Sequence, residues 1–153
     1  MSLINDRLKQ LNIVLPPAPA PAANYVPYVI SNKLIFVSGQ IPMLNGELVT
    51  GKIGKNIEIE DAKTAARLCG LAIVSQLNEA TDLDLDKIKR IVKLGGFVNC
   101  IDEFTQQPEI INGASDLMVE VFGDKGKHSR FAVGTNSLPR NVVVEIEAVA
   151  EIH

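Results

Sequence analysis

The sequence lacks any apolar run approaching the 18 or so residues that a membrane-spanning helix requires. It also lacks a basic segment followed by an apolar one near its N-terminus, the pattern typical of a secretory signal. These two absences weigh against a membrane protein and against an exported one. We therefore expect a cytoplasmic protein.

Cysteine and clustered positive charge are also scarce. The two cysteines, Cys69 in a predicted helix and Cys100 at a predicted strand end, fit small buried apolar residues better than a disulfide in a reducing compartment. The net charge is −3 and the pI is near 5.4, and no group of Lys and Arg alternates with aromatic residues. The composition assigns neither cysteine a role and argues against nucleic acid as a substrate or partner.

Apolar residues, in contrast, are abundant. They make up 46% of the 153 residues, and the mean hydropathy of +0.16 allows a substantial core. This length predicts a single domain over residues 1–153. Residues 1–20 predict a short helix capped by Ser2 and then an extended Pro/Ala-rich spacer, because proline lacks the N–H that helices and sheets use. We expect this N-terminal segment to be an appendage.

The remaining periodicity predicts a mixed α+β sheet. Small and apolar residues recur at helical spacing over 59–80, and a second helix is predicted over 108–122. Both helices are expected to pack on one face of the sheet. The predicted strands cover residues 25–30, 34–37, 47–50, 88–98, 128–133 and 142–150.

A charged pair is predicted within the last two strands. In one, Arg130 alternates with Phe131 and Val133, and in the other, Glu145 and Glu147 alternate with apolar residues. A hairpin turning at residues 137–138 would place Arg130 directly opposite Glu145. Both alternation patterns then put the two charges on the same sheet face.

This pair has two interpretations. It could be an exposed cross-strand ion pair, which contributes only about 0–1 kcal/mol to stability. It could also be a site, because an arginine among Val, Ile and Ala residues is well suited to bind a carboxylate through two hydrogen bonds. The apolar surroundings favour the site and suggest that another subunit covers this face, so we expect self-association.

Four segments together resemble the reactive-intermediate deaminase (Rid, or YjgF) family across residues 20–152. They are NYVPYV with Tyr28, LIFVSGQIP at 34–42, Ser129-Arg130, and LPRNVVVEIEAVA at 138–150. The resemblance implies a chorismate-mutase-like fold in a homotrimer, with a central barrel of sheets and active sites between subunits. It also implies hydrolysis of 2-imino acids to 2-oxo acids and ammonia, without a metal or organic cofactor.

The resemblance implies roles for individual residues as well. Arg130 matches the arginine that binds the substrate carboxylate, and Glu145 matches the glutamate that holds or activates water. The family's pocket asparagine falls at Ser115, with Asn112 as the alternative alignment. The other pocket residues implied by the match are Tyr28, Ser38, Gly39 and Ala132, the last where many members have a cysteine.

Some residues have more than one interpretation. His128-Ser129 replaces a Pro-Ala pair that many members have, and the simpler interpretations are a surface histidine for His128 and a structural ion-pair partner for Glu147. A non-catalytic trimer that binds small carboxylates would need Arg130 but not Glu145. An endoribonuclease is disfavoured by the acidic charge balance.

Overall fold

The structure, a computed structural model, describes residues 2–153, so only Met1 of the predicted N-terminal segment lies outside it. A five-stranded sheet and a small two-stranded hairpin are accompanied by three α-helices. The elements are α1 (Leu3–Gln10), β1 (Tyr28–Ser31), β2 (Leu34–Gln40), β3 (Met43–Leu44), β4 (Glu47–Leu48), α2 (Ile59–Ala80), β5 (Ile88–Asn99), α3 (Gln107–Phe122), β6 (Ser129–Thr135) and β7 (Val144–Ile152).

The main sheet has the order β1-β2-β7-β5-β6 and is mixed, because β5 and β6 run parallel while the other neighbours run antiparallel. Both α2 and α3 pack against one face. Val37, Ala148 and Leu94 lie side by side across three strands on that face and are buried. The predicted mixed sheet with both long helices on one side is therefore confirmed.

The predicted hairpin between β6 and β7 is wrong, because β5 lies between them and pairs with both. The eight residues from Asn136 to Val143 are long enough to cross two strand spacings of about 4.8 Å each. They contain a 3₁₀ turn at Pro139–Asn141, in which Arg140 has a positive φ of 55°. The two strands remain antiparallel to each other but do not touch.

Two further strand predictions need correction. The first strand begins at Tyr28 and not at residue 25. The predicted strand over 47–50 does not join the main sheet, since its residues Glu47–Leu48 pair with Met43–Leu44 in the separate hairpin. Both errors fall where turns and prolines interrupt the alternation.

The N-terminal helix is part of the folded domain, contrary to the expected appendage. Ile4 and Leu8 are buried, and the Asp86 carboxylate accepts the N–H groups of Leu3 (2.8 Å) and Ile4 (2.9 Å). These bonds satisfy donors in the first helical turn that have no partner within the helix. Although desolvation opposes the effect, the bonds from the Ile4 and Leu3 backbone lower the pKa of Asp86.

The Pro/Ala-rich segment that follows α1 is fixed along α2. Ser75 Oγ donates a hydrogen bond to the Pro16 carbonyl oxygen (2.8 Å), and Gln76 Nε2 donates one to the Pro19 carbonyl oxygen (2.7 Å). Both donor side chains are buried. The segment is thus held by two buried polar side chains. The Ser75 hydroxyl also lies 3.0 Å from the Leu71 carbonyl oxygen, whereas the Pro19 carbonyl oxygen satisfies the buried amide of Gln76.

Close packing of α2 against α3 depends on Gly113. A Cβ at this position would overlap the backbone carbonyl oxygen of Lys63 on α2. The two helix backbones are therefore in direct contact here, and only glycine permits it.

Within residues 2–153 we find no helix that combines the length and the apolar character needed to cross a bilayer.

Gly113→Ala should lower the free energy of unfolding by about 1–3 kcal/mol, because the helices must move apart to admit the methyl group. This loss should appear although alanine favours helix by roughly 1 kcal/mol over glycine. Urea unfolding measures it. The matched control is Asn112→Ala on the preceding residue, which should be neutral or slightly stabilising. Equal stability of both variants would contradict the proposed contact.

Candidate active site

Glu145 lies on the sheet face that carries no helices, directly against the backbone of β2. A Cβ on Gly39 would be 3.1 Å from Cδ and Oε1 of Glu145. The register of β2 against β7 shifts between Val37 and Gln40, so Ser38 and Gly39 bulge beside the carboxylate. The missing side chain of Gly39 is what leaves room for Glu145.

Two clefts open beside Glu145. The first, of about 350 Å³, is lined mainly by apolar groups and contains Ser38, Gly39, Arg140 and the Pro/Ala segment over 19–23. The second, of about 490 Å³, is lined by Tyr25, Ser38, Gly39, Phe97, Glu145 and Glu147. The carboxylate of Glu145 is therefore reachable by a small molecule from either side.

Burial tunes the acidity of this carboxyl group. Glu145 is half-buried, and partial removal from water raises its pKa above the ordinary glutamate value. A raised pKa moves the carboxyl group toward the range in which a general acid–base catalyst works best.

Tyr28 does not line either cleft, in contrast to the sequence expectation. It pairs with Val37 on the helix-bearing face and packs against the core, whereas Tyr25, three residues earlier, lines both clefts. Ser38 holds the segment between them, since its N–H donates to the Pro27 carbonyl oxygen (2.9 Å) and its Oγ to that of Val26 (2.8 Å). The boundary of β1 decides which tyrosine reaches the cleft.

Arg130 lies on the opposite face of the sheet from Glu145, so the predicted common face is wrong. Arg130 is in register with the buried Leu94, while Glu145 is in register with Phe97. Because the two charges are offset by three residues and two strand spacings, their Cα atoms are roughly 14 Å apart. One subunit does not bring both residues together.

The apolar residues of β6 explain this reversal. Phe131 and Val133 face the side without helices. There the rings of Phe131 and Phe97 pack edge to face, with 5.3 Å between their centroids. Arg130 therefore points toward α3, at the edge of the sheet. Ala132 shares its side and lies in register with Gly96.

A chain of hydrogen bonds holds Arg130. Its Nη1 donates to Ser115 Oγ (3.0 Å), and its Nη2 donates to the Pro108 carbonyl oxygen (3.3 Å). Ser115 Oγ also lies 2.9 Å from His128 Nε2, and His128 Nδ1 lies 2.6 Å from the Gly126 carbonyl oxygen. Of the two residues that the alignment offered for the pocket position, Ser115 and not Asn112 contacts Arg130.

The direction of these hydrogen bonds follows from the last acceptor, the Gly126 carbonyl oxygen. A carbonyl oxygen can only accept, so His128 Nδ1 carries the hydrogen. In the neutral ring Nε2 then accepts the hydroxyl hydrogen of Ser115, which turns a lone pair of Ser115 Oγ toward Arg130. His128 is thus a partner within the arginine site, which the interpretation as a surface residue did not anticipate.

Neither cysteine lines the two clefts beside Glu145. Cys69 and Cys100 are free and buried. Burial, and secondly the charge of Glu145, raise the pKa of the Cys69 thiol well above its usual value. A thiol in this state is not an activated nucleophile.

Sequence reasoning missed Tyr25, Arg140 and the wall formed by residues 19–23. Tyr25 lies two residues before Pro27, which interrupts the alternation of the strand, so the pattern gave no signal for the direction of its side chain. Arg140 lies in a turn with a positive φ, and its approach to Glu145 depends on the path of the connection across β5. Only the wall had a signal, the Pro/Ala composition, which by itself indicates a spacer.

Comparison with known proteins gives consistent matches over nearly the whole chain. The family model described as "YjgF/chorismate mutase-like, putative endoribonuclease" matches residues 5–152. Protein TCP17 of Trypanosoma cruzi is 46% identical over 148 residues, covering 95% of this chain and 92% of that protein.

Solved structures match as well. The protein Atu1372 of unknown function from Agrobacterium tumefaciens is 48% identical with a TM-score of 0.91, and the match covers 98% of this chain and 92% of that one. E. coli TdcF with bound serine is 25% identical with a TM-score of 0.60, over 89% of this chain and 94% of TdcF. The fold and the order of its elements are thus shared with proteins of known structure.

Glu145→Gln should raise the free energy of unfolding near pH 8 and leave it nearly unchanged near pH 3. The folded carboxyl has the higher pKa, so folded protein retains a proton that the unfolded chain releases, and stability falls as pH rises through this window. Glutamine does not titrate and avoids that loss. Urea unfolding across this pH range measures the difference.

Glu147→Gln is the matched control, since it removes the same charge from an exposed position two residues along the same strand face. The increase in the free energy of unfolding near pH 8 should be larger for Glu145→Gln than for this control. Equal gains, or a Glu145→Gln variant less stable than the parent near pH 8, would contradict the role of burial.

Proposed function

Because the chain belongs to the YjgF/chorismate mutase-like family, we propose that it hydrolyses 2-imino acids to 2-oxo acids and ammonia. The observation that carries this proposal is Glu145, a half-buried carboxyl group with a raised pKa that faces two clefts. Imine hydrolysis involves proton transfers to and from water and nitrogen, and a positioned carboxyl group would accelerate them. Arg130 would bind the substrate carboxylate and so orient the substrate for the reaction.

Arg130 would bind the substrate carboxylate. A guanidinium group has five N–H donors, and the bonds to Ser115 Oγ and the Pro108 carbonyl oxygen use only part of them. The unused edge can hold a carboxylate through two parallel hydrogen bonds. The Ser115–His128 chain fixes the other edge and so reduces the freedom that substrate binding must remove.

Glu145 would move protons during hydrolysis. Water adds to C2 of the protonated imine while Glu145 accepts a proton from the water, which gives a neutral carbinolamine. The protonated Glu145 then donates this proton to the nitrogen, and the C–N bond breaks as the C=O bond forms. The hydroxyl proton passes to the Glu145 carboxylate and from there to the departing ammonia, which leaves as ammonium. Proton transfer of this kind typically contributes about 10²–10⁴-fold to the rate.

A complete site would need two subunits. Arg130 and Glu145 lie on opposite faces of one sheet, too far apart for a small imino acid to touch both. The open face exposes Val29, Phe36, Phe97 and Val133, and apolar surface of this kind favours contact with another copy. We place Arg130 of one subunit against the Glu145 cleft of the next, in a homotrimer.

A binder without catalysis is the second candidate. TdcF, which resembles this chain, has been solved with bound serine, a small molecule with a carboxylate. In a binder, Arg130 would hold such a ligand and Glu145 would have no proton to transfer. The two candidates therefore differ in what the glutamate does.

Arg130→Lys should lower both imine turnover and 2-oxo-acid affinity, because lysine keeps the charge but loses the planar pair of donors. Glu145→Gln should lower turnover by roughly ten-fold or more while 2-oxo-acid affinity stays similar or rises. A coupled assay that follows the decay of imines generated in situ measures turnover, and calorimetry measures the 2-oxo-acid affinity.

Each outcome separates the candidates. Full turnover in Glu145→Gln would refute the proton-transfer role, and a parent protein that binds 2-oxo acids without any turnover would leave the binder. RNA is added as a third arm because the family model carries a nuclease description. Cleavage of RNA that disappears in Arg130→Ala would favour the nuclease over both.

Mixing two variants that each lack one of the two residues tests the shared site. Co-refolding equal amounts of Arg130→Ala and Glu145→Gln should restore about one quarter of the parent activity. Three quarters of randomly formed trimers are mixed, and each mixed ring has one intact site of three. If both residues acted within one subunit, mixing would restore nothing, and a monomer in light scattering would equally contradict the trimer.

A further inference from the structure

The Pro/Ala segment over residues 19–23 has no role in the reaction proposed above. It forms one side of the 350 Å³ cleft that contains Glu145, together with Tyr25, Ile41 and Met43. A spacer would be free in solution. Here instead the segment stands over the carboxylate that the reaction uses.

The segment is fixed at both ends. On one side, buried Gln76 donates a hydrogen bond to the Pro19 carbonyl oxygen. On the other, Ser38 binds the carbonyl oxygens of Val26 and Pro27, which follow Tyr25. The segment is thus a built wall of the cleft.

The wall offers a ligand few hydrogen bonds. Its five side chains are those of Pro and Ala, and neither Pro19 nor Pro21 has an N–H group. The N–H of Ala22 already donates to the Tyr25 hydroxyl oxygen at 3.4 Å. A polar substrate group placed here would lose water without gaining a partner, whereas an apolar group would lose nothing.

We propose that residues 19–23, with Tyr25 and Met43, form an apolar subsite for the substrate side chain. The favoured substrates are then 2-imino acids with branched aliphatic or aromatic side chains. This inference rests on the proposed function, because Glu145 must act at C2 for the side chain to point into this cleft. Arg140 at the cleft is the one feature that would suit an anionic side chain instead.

The test compares 2-oxo acids, the reaction products, as calorimetric probes. Affinity should rise from pyruvate to 4-methyl-2-oxopentanoate by about ten-fold or more, since each fully buried methylene adds about four-fold. Phenylpyruvate should bind in the same range as 4-methyl-2-oxopentanoate. Tighter binding of 2-oxoglutarate than of 4-methyl-2-oxopentanoate would overturn the apolar subsite in favour of an anion site at Arg140.

Ala22→Phe should fill the cleft and lower the affinity for 4-methyl-2-oxopentanoate at least ten-fold, while the affinity for pyruvate changes less than two-fold. The matched control is Val14→Phe, which adds a ring to the same N-terminal segment at a side chain that is 89% exposed and outside the cleft. Met43→Ala removes a contact without adding bulk and should weaken only the larger ligands. Equal loss for pyruvate and the larger ligands, or no loss in either cleft variant, would overturn the subsite.

The same measurements separate the subsite from the reaction. If the probes rank by apolar size but no imine is hydrolysed, the subsite stands and the proposed reaction falls. If imines from alanine, leucine and phenylalanine are hydrolysed equally fast, and the 2-oxo acids bind equally, the reaction stands and the subsite is wrong.

Discussion

The insertion of β5 between β6 and β7 is the constraint on which the arrangement of the site depends. Parallel strands cannot be joined by a tight turn, so β5 reaches β6 through α3, which crosses one face of the sheet. That crossover brings Ser115 to the side where Arg130 points. It also leaves Glu145 on the uncovered side, where the bulge of β2 meets it.

This topology gives each charged residue its own support. Arg130 has a chain of polar partners at the edge of the sheet, which keeps a permanent charge partly hydrated and directed. Glu145 has glycine, tyrosine and proline around it, which remove water and raise its pKa. A direct ion pair with Arg130 would lower the pKa of Glu145, so the separation of the two residues leaves that pKa raised by burial.

Sequence periodicity predicted the helices well, because a stripe of small residues fixes both type and face. The structure has α2 at Ile59–Ala80, as predicted, and α3 begins one residue earlier than expected. Strand neighbours were a different matter. A period of two is the same whether β6 pairs with β7 or with β5, so alternation could not reveal the intervening strand and assigned Arg130 to the wrong face.

The sequence predicted only those parts of the site that local structure, such as a strand end or a bulge, brings together. Ser38, Gly39 and Glu145 do meet, because strand ends and bulges hold them locally. Tyr25 was missed for Tyr28 since prolines set the path of the chain there. The partnership of Ser115 with His128 joins two elements, and no local pattern reports it.

The two-ended attachment of the Pro/Ala segment has a thermodynamic consequence. Proline restricts the unfolded chain, and the bonds from Gln76 and Ser38 immobilise the few residues between them. The conformational entropy of this wall is therefore lost when the protein folds and not when a ligand arrives. A molecule that enters the cleft meets a preorganised surface, and its affinity should depend on fit more than on the ordering of a loop.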